Sequence, residues 1–190
     1  FHYATLRRLN NEEFFLKRCG AVSTELECSG FLSDRIHLLR SLAPRTPFVF
    51  LSRPPSDWIS SVVQYFSMLK NRVAYNYVVR LFFDPITGVP LDEFYSSSEL
   101  HRNQVVQRLL EFWLNGHEVA SADCGTLLMK LSELDSRIDE VENHVQMRAL
   151  RSSKVWRRSR NDKIKIRVAN YVDMHEYASR IQSAGYSTND

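Results

Sequence analysis

The chain has 190 residues, 44% of them hydrophobic, 12% aromatic and 25% charged, with a formal net charge of +3; one sizeable core is within reach, so a single domain over residues 1–190 is expected. Three scattered cysteines, Cys19, Cys28 and Cys124, form no Cys-x-x-Cys pair and have no histidine at zinc spacing, so they read as reduced thiols and no metal is expected. No run of about 18 apolar residues and no basic, apolar, small-residue leader occurs, which excludes a membrane segment in this span and points to a soluble, cytoplasmic protein.

In chain order, residues 12–18 follow Asn10 and Asn11 as a short helix, and residues 21–27 suit a strand leading to Ser29. Ser33 is placed to cap a helix in which Ile36, Leu39 and Leu42 recur at helical spacing, with Pro44 and Pro47 ending it. Residues 48–51 form an apolar strand. Pro54 and Pro55 then make a turn, and Ser56 or Asp57 caps the next helix, whose apolar positions from Trp58 run through Val62, Tyr65, Phe66 and Leu69. A further helical stretch spans residues 72–82. The Pro- and Gly-containing loop of residues 84–90 belongs on the surface. Ser96 with Glu99 reads as a capping box for a helix carrying Val105, Val106, Leu109, Trp113 and Leu114, closed by Asn115-Gly116. Residues 126–130 form a second buried strand. This alternation, free of repeats and long linkers, is the pattern of an α/β domain with a central, mostly parallel sheet flanked by helices.

The segment from Phe48 to Phe66 carries the clearest chemistry. An apolar strand runs into Arg53, a Pro pair and a helix with Ser61 near its start. A guanidinium at a strand end offers a planar fork of donors, and a helix N-terminus adds free N–H groups and a favourable dipole, so the residues describe an anion site. The charge distribution agrees. Residues 148–167 hold nine basic side chains against Asp162 alone, a local +8, which leaves −5 for the rest of the chain. A patch that distinct calls for an anionic partner.

Several of these stretches, in this order, resemble the sulfotransferases that use 3′-phosphoadenosine 5′-phosphosulfate (PAPS). Arg53 and Ser61, eight residues apart after an apolar strand, resemble the family's 3′-phosphate-binding segment. Glu27-Cys28-Ser29 resembles its Glu-Lys-Ser-Pro step, with Cys28 and Gly30 where Lys and Pro are usual. Leu131-Ser132-Glu133-Leu134 is similar to its Tyr-Glu-Asp-Leu step. The tail, with Tyr171, Asp173 and Tyr177 along one helix, resembles its closing helix, and Arg151, Ser153 and Lys154 stand near the family's basic loop over the nucleotide. The family's opening Gly-containing 5′-phosphosulfate loop has no counterpart. Lys17-Arg18-Cys19-Gly20 has the wrong spacing and reads as a helix end capped by Gly20, so the missing strand and loop are expected upstream of Phe1.

The resemblance implies a P-loop-like sulfotransferase fold that binds PAPS as co-substrate without a metal, through Arg53, Ser61, Arg151 and Lys154, and passes its sulfuryl group to a hydroxyl or amine of an unidentified acceptor. In such an arrangement Phe94 and Tyr95 line the acceptor's entrance. No histidine sits in a motif that marks a base; His101 is the nearest to one, and the catalytic residues stay unassigned. Other readings fit the charge: an anionic glycan or other acidic acceptor held by the basic patch, a noncatalytic anion- or nucleotide-binding module of the same fold, and nucleic-acid binding through residues 148–167, where Trp156 permits stacking on a base. The acidic remainder of the chain makes nucleic acid the poorer partner. Acceptor and oligomeric state are not legible.

Overall fold

A computed structural model describes residues 36–67, 91–146 and 165–188. The expected helices at 12–18 and 72–82, the strand at 21–27, the Ser33 cap, the loop at 84–90, the Glu27 to Ser29 step and most of the basic stretch lie outside the described residues.

Two five-residue strands, β1 (Phe48–Ser52) and β2 (Thr126–Lys130), pair in parallel with Phe48 opposite Thr126 and Ser52 opposite Lys130. Both strands fall where the short apolar runs predict them. A parallel pair needs a long crossover, and here helices α2 (Pro55–Ser67) and α3 (Glu99–Ala122) lie between the two strands in sequence. Ahead of them, helix α1 (Ile36–Leu42) ends as expected in a turn at Pro44, where the Thr46 N–H bonds to the Ala43 carbonyl. The described chain is thus mixed helix and strand, a two-stranded parallel sheet flanked by helices.

The core forms where α2 and α3 meet. Ile59 and Val63 of α2 and Val105, Val106, Leu109 and Leu110 of α3 are fully buried, and Leu91 and Phe94 of a 3-10 turn (Leu91–Ser96) close the gap between the helices. Ile166, Val168, Tyr177, Ile181 and Tyr186 complete the cluster from the C-terminal side.

Helix α3 differs from expectation at both ends. Its N-cap is Ser98, whose Oγ accepts from the His101 N–H, while Ser96 belongs to the preceding 3-10 turn and donates its hydroxyl to the Glu93 carbonyl. The helix also runs through Asn115-Gly116 to Ala122, because the buried stripe continues through Gly116, His117 and Ala120. Tertiary burial there outweighs the local Asn-Gly stop signal.

The tail differs more. Tyr171, Asp173 and Tyr177 do not share one helix: two 3-10 turns (Val168–Asn170 and Met174–Glu176) precede a short helix, which follows α4 (Ile138–Val145) as α5 (Ala178–Ser183). The Asp173 carboxylate accepts from the His175 N–H at 3.0 Å and so starts a new turn instead of continuing a helix. Among the described residues no helix is long and apolar enough to cross a membrane.

Candidate anion site at the end of the first strand

The β1–α2 junction is built by two prolines. Pro55 is the first helical residue, where its fixed φ suits a helix and its missing N–H costs nothing. The Pro54 carbonyl accepts the first helical bond, from Trp58 N at 3.0 Å. Ser56 and Asp57, expected as caps, therefore lie inside the first turn, and their N–H groups precede that first bond.

Arg53 sits between strand and helix. Its carbonyl is held by the indole N–H of Trp113 at 3.2 Å, which ties the junction to α3. Its side chain is half-buried, and the guanidinium has no hydrogen-bonded or ion-paired partner among the described residues. Burial pushes its pKa below the usual arginine value, and the nearby Asp57 carboxylate only partly opposes this.

The two serines of α2 divide their work. Ser60 is buried; its hydroxyl donates to the Ser56 carbonyl at 2.6 Å and accepts from the Ile166 N–H at 2.8 Å. Ser61, about 100° further round the helix, is partly exposed and its hydroxyl has no partner among the described residues. Lys165 lies 3.6 Å from Asp57 in an exposed ion pair. The end of the basic stretch is thereby fastened to the first turns of α2, although Arg151 and Lys154 lie outside the described residues.

The sheet ends beside the junction are covered. Ser52 and Tyr186 share a buried hydroxyl–hydroxyl bond of 2.6 Å, and Lys130 donates to the Gly185 carbonyl at 2.7 Å while lying 4.9 Å from the Tyr186 ring centre. Gly185 adopts φ +81, a conformation that favours glycine.

His101 stands exposed in the first turn of α3, its side chain making no contact that marks a base. The histidine that the sequence did not single out is His117, only 2% exposed, packed against Phe50, Trp113 and Tyr186 with neither ring nitrogen hydrogen-bonded. Burial drives its pKa down to about 4. Its place on the apolar stripe, four residues after Trp113, was the available signal, hidden by reading the helix as ending at Gly116. Phe94 and Tyr95 line one cleft of about 400 Å³.

No family model, curated protein or solved structure matches this chain.

Proposed function

We propose that this chain is a PAPS-dependent sulfotransferase domain of the P-loop-like kind, with the β1–α2 junction gripping the ribose 3′-phosphate of the nucleotide. Arg53 supplies a planar pair of donors, Ser61 a hydroxyl, and the opening N–H groups of α2 a favourable dipole. Arg151 and Lys154 supply further positive charge to the phosphates. An acceptor hydroxyl or amine attacks sulfur in line, and adenosine 3′,5′-bisphosphate leaves.

The observation that carries this reading is the Arg53 guanidinium, a half-buried cation with no hydrogen-bonded or ion-paired partner among the described residues, the Asp57 carboxylate acting on it only from a distance. A desolvated charge is tolerated where a counter-charge completes it, and an anion at this junction does that.

The test is thermal. Adenosine 3′,5′-bisphosphate at a hundredfold excess over its Kd stabilises by about 2.7 kcal/mol, and adenosine 5′-monophosphate, which lacks the 3′-phosphate, does so less. Arg53→Ala should cancel the difference between the two nucleotides. No shift of the intact chain with the bisphosphate overturns both the enzyme and the noncatalytic module. Salt-sensitive nucleic-acid affinity that survives Arg53→Ala would then favour binding through residues 148–167. If the bisphosphate binds, turnover of PAPS with hydroxyl and amine acceptors separates enzyme from module.

A further inference from the structure

A second site lies away from the Arg53 junction, where the 3-10 turn Leu91–Ser96 meets the start of α3 and the turn ending at Tyr171. The cleft there, about 400 Å³, has an aromatic wall. Phe94 is buried at its base, with the Tyr95 ring edge-to-face at 5.3 Å and the Tyr171 ring tilted at 6.2 Å. Tyr95 is 45% exposed, so much of its ring is uncovered.

Much of the polar lining faces solvent. Arg102 spends Nη1 on the Ser97 carbonyl at 3.0 Å, leaving Nε and Nη2 unmatched among the described residues. The hydroxyls of Tyr95 and Tyr171 and the carboxylate of Glu99 are likewise unpaired there, and Asn103 Oδ1 is buried without a donor. Donors and acceptors are therefore interleaved, and the charges of Arg102 and Glu99 cancel. Nothing in the lining selects a charged ligand.

We propose that this cleft binds a neutral pyranose sugar. Such a ring has an apolar C–H face to lie on the exposed Tyr95 ring and a rim of hydroxyls, each both donor and acceptor, to meet the Arg102 guanidinium, the Glu99 carboxylate and the Tyr171 hydroxyl. A phenol would use the aromatic wall and leave most of those groups unmet. The inference stands on the cleft alone and does not depend on the phosphate site.

The full chain is tested by saturation-transfer NMR with the methyl glycosides of glucose, galactose and N-acetylglucosamine, each at millimolar concentration, and with p-cresol as the planar control. Transfer to the ring C–H protons of at least one sugar is expected. It should fall at least fivefold in Tyr95→Ala, compared below that variant's own melting temperature so that lost folding is not read as lost binding, and persist in Arg53→Ala, which separates this site from the phosphate reading. The proposal is overturned by no transfer to any of the three sugars, by transfer undiminished in Tyr95→Ala, or by Tyr95-dependent binding of p-cresol without binding of the sugars.

Discussion

The backbone N–H of Ile166 donates to the hydroxyl of Ser60 at 2.8 Å, across 106 residues of chain. The same hydroxyl donates to the Ser56 carbonyl, so one side chain fastens the end of the basic stretch to the opening turn of α2. The buried Ile166 beside it makes the attachment apolar as well as polar.

Ser60→Ala should therefore cost about 1–2 kcal/mol, because it leaves the buried Ile166 N–H without an acceptor. Urea denaturation measures the loss. If the proposed phosphate site uses the basic stretch, affinity for adenosine 3′,5′-bisphosphate should fall in the same variant, whereas Ser61→Ala should weaken the nucleotide without the stability cost. Equal effects of the two substitutions on stability would refute the division of labour between the serines.

Arg53 offers a test that needs no ligand. A half-buried charge with no partner among the described residues opposes folding, so Arg53→Met, which keeps the stem and removes the charge, should leave the melting temperature of the ligand-free chain unchanged or raise it by a few degrees. Functional sites commonly show this trade between stability and binding. A large drop in melting temperature would mean that the guanidinium is a structural tie instead.

Arg40 and Asp123 join α1 to the turn before β2 through two bonds, Nε to Oδ1 at 3.0 Å and Nη2 to Oδ2 at 2.7 Å, and Thr126 Oγ1 adds a third to the carboxylate at 2.7 Å. These partners, Arg40 first, hold the Asp123 carboxyl at about 2, below its ordinary 3.8. Its contribution is fully present above pH ~4 and is lost as pH falls towards 2. Asp123→Asn should cost about 2 kcal/mol at neutral pH and flatten that acid limb. Gly125→Ala is expected to cost less, since a Cβ there meets only the far end of the Arg40 side chain, which can shift at the expense of its bonds to Asp123.

Both described strands were legible because each is a short apolar run with a clear boundary: Pro47 before β1, Gly125 before β2. Arg53 was legible for a related reason, as the cation at the point where an apolar run stops. The length of α3 was not, since Asn115-Gly116 is a strong local stop and only the packing of His117 and Ala120 overrides it. Nor could sequence decide between Ser60 and Ser61. Adjacent helical positions point in directions about 100° apart, and which one turns inward is set by where Ile166 arrives, a contact from the far end of the chain. The broken tail was illegible because Asp173 fits a helical spacing and a turn cap equally well.

His117 should set the acid stability of the fold. Its ring is 2% exposed and boxed by Phe50 on β1, Trp113 on its own helix and Tyr186 of the C-terminal strap. Lys130 lies over the Tyr186 ring and the Tyr186 hydroxyl is bonded to Ser52, and among the described residues no carboxylate hydrogen-bonds either ring nitrogen to receive an imidazolium. Burial holds the native pKa at about 4 against an ordinary 6.5. Between those values the unfolded chain binds a proton that the native chain refuses, so stability falls as pH drops from ~6.5 to ~4, by about 3 kcal/mol in all. Above pH ~6.5 this residue has no effect on the pH profile. His117→Phe keeps the ring packing and removes the proton, so it should abolish that slope while leaving the loss below pH 4, to which Asp123 contributes. Denaturant melts at pH 7.5, 5.5 and 4.5 decide it: an unchanged slope in His117→Phe would show that the imidazole is not the group that titrates.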